Sequence, residues 1–180
     1  MKRRCRDDCV TTICIEGKAD EPFGRTVAEE LRKARQRRET SFPERLDWLT
    51  CSLLGMSAFK DDAHLVLSDG ISGLSYQLLA AIAGTLLEAG IQEATAAVFV
   101  VHEFRTKATS DTKLQANADA LNSFLRLFQS VNGGLDDDVQ LQLGEMIGPI
   151  SIIERPVSGA VKMPCQIPLF IGKIRTDRLV

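Results

Sequence analysis

Glu16-Gly17-Lys18 is the tripeptide of this chain best suited to chemistry. On a β-strand, side chains two residues apart point to the same face, so this carboxylate and this ammonium can act together on one reacting group. Metal-dependent phosphodiester hydrolysis needs that combination. An acid holds Mg2+ or Mn2+, while a cation orients the attacking water and offsets charge on the phosphate. A Glu-x-Lys pair alone also has a simpler meaning, a surface ion pair worth about 0–1 kcal/mol. Its surroundings favour the chemical reading: an apolar, β-rich stretch leads into it, Pro22-Phe23-Gly24 follows, and the next segment carries Arg25, Arg32, Lys33, Arg35, Arg37 and Arg38. Arg32, Lys33 and Arg35 are the expected nucleic-acid contacts, each phosphate contact adding salt-sensitive affinity that does not depend on sequence. The simpler alternative for them is a solvated helix face supported by Glu29 at the i, i+4 position to Lys33.

These residues must be positioned by regular elements. Val10 to Lys18, rich in Val, Thr and Ile, reads as a strand, with Thr11, Ile13 and Ile15 on one face and Cys14, Glu16 and Lys18 on the other. Thr26 with Glu29 forms a capping-box pattern for a helix to about Arg38, and Ser41 with Glu44 repeats it for a helix through Leu54 whose Leu46, Leu49 and Leu53 mark its buried side. Residues 55–70 read as a connection with a short strand at His64 to Leu67. A long helix from about Ser72 to Ala89 is apolar nearly all round, which predicts packing between layers. Ala94 to Val101 is a continuous apolar run, the pattern of a central strand. A further amphipathic helix is expected from about Thr112 to Val131, ended by Asn132-Gly133-Gly134. Gly148 to Arg155 and Ile167 to Ile174 complete the set as strands that prolines confine to the periphery. Strands alternating with helices predict an α/β domain around a mixed sheet.

Composition bounds the function. At 180 residues, 44% hydrophobic and 26% charged, the chain fits one globular domain, 1–180. No apolar run approaches the roughly 20 residues of a membrane span, and the first eight residues lack the apolar stretch of a signal peptide, so a cytoplasmic location with no membrane partner is expected. Five cysteines in a chain of this kind argue against disulfides, and the spacing of Cys5, Cys9 and Cys14 is not that of a zinc knuckle. The net charge of -2 is uneven: residues 1–45 carry 12 basic and 9 acidic side chains, and residues 46–180 carry 10 and 15. A basic first quarter on an acidic body permits a local phosphate-binding face. One Trp and one Tyr provide little for stacking bases, and no Walker or dinucleotide-type glycine loop is present. His102 and Glu103, at the end of the expected central strand, are further site candidates because ligands of α/β sheets gather at strand ends.

Ile15 to Gly24 (IEGKADEPFG), together with Tyr76-Gln77-Leu78-Leu79 and Val100-Val101-His102, resembles an uncharacterised bacterial family with a restriction-endonuclease-like core of the PD-(D/E)xK type. The resemblance covers about residues 10–130, with residues 145–180 as C-terminal strands. It implies a three-layer sheet with flanking helices, a Mg2+ or Mn2+ cofactor, and a nuclease or a nuclease-derived protein acting on nucleic acid. It also implies Glu16 as metal ligand, with Lys18 and Gln77 in catalysis. The chain departs from the pattern in being N-terminally abbreviated. The family's metal-binding Asp lies on a preceding strand, whereas here only Asp7 and Asp8 precede Glu16. On one continuous strand Asp8 and Glu16 would lie roughly 26 Å apart. The second ligand is then expected from Asp20, from Glu21 or from a neighbouring subunit, or the site is degenerate and the scaffold serves as a nucleic-acid or protein binding module. An unpaired edge beside Val10 to Lys18 would favour a homodimer.

Overall fold

The structure, a computed structural model, describes residues 9–19, 21–133, 139–155 and 161–177. Strand β1 (Thr11–Lys18) is followed by helices α1 (Val27–Arg37) and α2 (Ser41–Leu54), a small hairpin of β2 (Phe59–Asp61) and β3 (Val66–Leu67), helix α3 (Tyr76–Ile91), strand β4 (Ala96–Arg105), helix α4 (Asp111–Asn132), and strands β5 (Met146–Ile150) and β6 (Leu169–Asp177). The main sheet has the order β1-β4-β6-β5, with β1, β4 and β6 parallel and β5 antiparallel at the far edge. It is therefore a mixed α/β fold around a four-stranded mixed sheet with flanking helices.

The steps β1 to β4 and β4 to β6 each move one place in the same direction across the sheet. Right-handed crossovers then bring both sets of connecting helices to one face. Burial agrees. The inward residues Ala97, Phe99, Val101, Leu169 and Ile171 join one core with Leu78, Leu79, Ile82 and Leu86 of α3 and Leu121, Phe124 and Phe128 of α4, and α2 packs onto both helices. The outward residues behave differently: Ile13 and Ile15 are 60% and 63% exposed, and Val98 and Val100, though buried, lie outside that core. Among the described residues the helices that join this core pack on the inward face of the sheet.

Several boundaries differ from those read in the sequence. The box of Thr26 and Glu29 forms, with Glu29 N donating to Thr26 Oγ1 and Thr26 N donating to Glu29 Oε2, and α1 ends on Arg38 in a left-handed conformation. The second box does not: Thr40 precedes α2 without a side-chain cap, and Ser41 is already helical. Helix α3 begins at Tyr76 rather than at about Ser72, with Ser75 capping it by accepting from Leu78 N. Strand β5 stops at Ile150, and its Pro149 falls where pairing to β6 shifts, the place on an edge strand where a missing N–H is tolerated.

Candidate active site at the carboxyl ends of the parallel strands

Strand β1 is oriented against its own hydrophobicity. Its isoleucines face outward, while Glu16 and Lys18 share the face turned toward the helices. The Lys18 side chain is 3% exposed and that of Glu16 24%. Burying an ammonium this deeply is costly unless its partners are close and aligned, and they are. Lys18 Nζ lies 2.9 Å from Glu16 Oε1 and donates to Gln77 Oε1 at 2.9 Å, while Gln77 Nε2 donates to the same Glu16 Oε1 at 2.7 Å. The Phe23 ring approaches Lys18 Nζ at 5.2 Å from its centroid, adding a cation–π contact. Glu16 Oε2 has no partner among the described residues and lies on the more exposed of the two side chains.

The turn that delivers Phe23 is fastened from two helices. Asn117 of α4, itself buried, accepts from Phe23 N at 3.1 Å and donates to the Glu21 carbonyl at 3.1 Å. Ser75 donates to the Phe23 carbonyl at 2.6 Å while capping α3, one residue before the turn of helix that presents Gln77. Gly24 completes the approach. Its φ of +65° lies in the region that favours glycine, and a Cβ there would stand 3.4 Å from Gln77 Oε1.

Register extends the charged layer across the sheet. Lys18 pairs with Glu103 and Glu103 with Arg175, while Glu16 pairs with Val101 and Val101 with Lys173. In a parallel sheet such partners share a face, so five charged side chains line the inward side at the carboxyl ends of β1, β4 and β6. Glu103 is fully buried; Arg175 donates to its Oε2 through Nε at 3.2 Å and Nη2 at 2.8 Å, and Lys173 Nζ lies 3.1 Å from its Oε1 without hydrogen-bond alignment. Carboxyl ends of parallel strands are where α/β sheets gather ligands.

Glu16, Lys18 and Gln77 are brought together as the sequence suggested. Asp20 lies outside the described residues, and so do Asp7 and Asp8. Among the described residues no group of three or more His, Cys, Asp or Glu side chains is placed to hold a metal ion. His102 belongs to the outward face, where Nε2 lies 2.9 Å from Thr176 Oγ1 and the ring packs on Phe104. Arg35 is committed elsewhere, donating through Nη2 to the carbonyls of His64 and Leu65 at 3.0 and 2.8 Å, and thereby tying α1 to the β2–β3 hairpin. Arg32 is exposed and lines a groove of about 410 Å3 with Arg35, Leu65 and Leu67, and Lys33 is half-buried. Burial, then the Asp47 carboxylate, pushes the Cys51 thiol up, which disfavours it as a nucleophile.

Sequence reading missed Ser75, Asn117, Lys173 and Arg175. A signal existed for the last two: Gly172-Lys173-Ile174-Arg175 places two cations at strand spacing, the pattern already used for Glu16 and Lys18. For Asn117, which acts 94 residues from Phe23, there was none.

A family model described as a domain of unknown function, DUF6946, matches residues 3–178. The chain belongs to the DUF6946 family. The match takes in every residue of the charged layer, and the family description assigns it no reaction. No curated protein and no solved structure matches the chain. No helix among the described residues is long and apolar enough to cross a membrane.

Proposed function

We propose that this DUF6946 protein is a divalent-metal-dependent nuclease of the cytoplasm, with Glu16, Lys18 and Gln77 as its site and a restriction-endonuclease-like ancestry. The observation that carries this reading is the inverted strand β1, which turns Ile13 and Ile15 outward and holds Glu16 and Lys18 against Gln77 on the inward face. A fold optimised only for stability would bury the isoleucines, and local departures of this kind concentrate at functional sites.

The donor set suits a hard, hydrated ion. Mg2+ commonly takes one or two carboxylates, keeps several waters and completes its shell with substrate phosphates. Glu16 Oε2 is the described oxygen that would hold it, and Asp20 is the expected second donor. The ion would supply Lewis-acid stabilisation of charge on the scissile phosphate. In this reading Lys18, beside Glu16, donates to a phosphate oxygen or orients water. Gln77 fixes the relative position of the two by donating to one and accepting from the other.

A second reading has its own observation. The direct Lys18–Glu16 contact at 2.9 Å, with no three-donor cluster among the described residues, also suits a non-catalytic module that binds nucleic acid or a protein. Cleavage of linear, circular and single-stranded DNA and RNA with Mg2+ or Mn2+ separates the two. The nuclease reading expects metal-dependent cleavage that falls at least 100-fold, on the order of a general acid–base or charge-stabilising group, in both Glu16→Gln and Lys18→Ala. Folded wild-type protein that cleaves none of these substrates leaves the binding module.

A further inference from the structure

A second feature opens at the same end of the sheet. Between the ends of β4 and β6, helix α4 and residues 140–143 lies a groove of about 440 Å3 whose lining includes Arg105, Asn122, Gln140, Gln142, Lys173 and Arg175. Its volume suits a nucleotide-sized group. The charge accounting of its floor is unbalanced. Two cations, Lys173 and Arg175, share one carboxylate, Glu103, which leaves one positive charge on side chains exposed by only 7% and 21%. Among the described residues Lys173 Nζ has no partner other than Glu103. The carboxylate in the lining, Asp111, is paired with Arg105 at 2.9 Å, and nearby Glu145 accepts from Gln142 N at 2.8 Å. The remaining polar lining is mostly neutral amide. An excess cation under limited solvation favours an anion, and a guanidinium with free donors suits a phosphate oxygen.

We propose that this groove is a phosphate-binding subsite that holds a nucleic-acid strand beside the Glu16–Lys18–Gln77 site. The choice of a strand over a free anion rests on the nuclease or nucleic-acid reading above. It follows from placement. Lys173 lies two strands from Glu16, and Arg175 two strands from Lys18, on the same face and at the same end of the sheet. At one strand spacing per step this is about 10 Å, within reach of one continuous chain of phosphates.

The test is binding of a fluorescent 12-nucleotide single strand to the full chain in EDTA, where metal-dependent cleavage is silent. Gln140→Glu/Gln142→Glu, which alters exposed lining away from Glu103, should weaken binding about tenfold at 50 mM salt. Glu103→Gln frees both cations and should tighten binding severalfold while steepening the slope of log affinity against log salt by about 0.7, the value for one added phosphate contact on a single strand. Glu103→Gln is read below its own unfolding transition, and the double variant stands as the measurement independent of that substitution. Wild-type affinity in the double variant would overturn the subsite whether or not the protein cleaves. Displacement of the strand by inorganic phosphate at equal phosphate concentration would overturn its assignment to a strand. Shifted affinities in a protein that cleaves nothing would uphold the subsite and remove catalysis instead.

Discussion

Glu103 is the side chain on which the charged layer depends most. It is fully buried, and both Lys173 and Arg175 are directed at it. Removing one member of a buried ion cluster leaves uncompensated charge, which costs about 3–5 kcal/mol, far more than an exposed pair. Lys173→Met keeps the length and most of the volume of the side chain while deleting one cation. Because Glu103 keeps its two bonds from Arg175, unfolding free energy in urea titrations should fall by no more than about 1 kcal/mol, whereas Glu103→Gln, which leaves two cations without their carboxylate, should cost about 3–5 kcal/mol without changing the slope. A loss below about 0.5 kcal/mol in Glu103→Gln, the usual range for surface sites, would overturn the weight given to this side chain. Glu16 differs because its side chain retains 24% exposure and one carboxylate oxygen without a described partner.

At the level of elements, α1 shows which local signals are dependable. The reciprocal bonds of Thr26 and Glu29 were legible from residue type and spacing alone. The bond from Thr26 N, followed by that from its hydroxyl, holds the Glu29 carboxyl below the usual range. A lowered folded-state value means that this contribution is present above the unfolded pKa of about 4.3 and disappears as pH falls through the folded value. The stability gap between wild type and Glu29→Gln should therefore be full at about pH 6 and close under acid, by thermal melts across that range. Strand β1 was equally legible as a strand, down to the shared face of Glu16 and Lys18. Its orientation was not. Alternation states which residues go together, while the partner that receives Glu16 and Lys18 on the helix-facing side, Gln77 of α3, lies some sixty positions away. The same limit hid Asn117, whose partners at Glu21 and Phe23 are brought near only when α4 has docked. The second capping box failed for a more local reason: the helix starts one residue early, so Ser41 has no cap geometry to offer.

For the whole molecule, placing all described helices on one side has a surface consequence. Ile13, Ile15 and Ile174 are each at least 42% exposed, and β1 pairs only with β4 among the described residues. An apolar strand with an open edge favours self-association, which is the basis for expecting a homodimer. Replacing both Ile13 and Ile15 with Thr should shift sedimentation velocity at micromolar concentration toward monomer. Because both side chains are already exposed, the melting temperature of the monomer should stay nearly unchanged, with each substitution within about 0.5 kcal/mol. An unaltered sedimentation profile would exclude this edge from any oligomer.

Helix α4 has a double attachment whose consequence is mechanical. Its Asn117 clamps the turn that places Phe23 over Lys18, and five positions further on Asn122 lines the neighbouring groove while accepting from Leu141 N. A helix rises about 1.5 Å per residue, so these two anchors are separated by little more than one rigid turn. Any displacement of α4 large enough to widen the groove must strain the clamp on the turn, and any slackening of the turn is felt at the groove wall. The helix thus couples the wall of the groove mechanically to the turn beside Lys18.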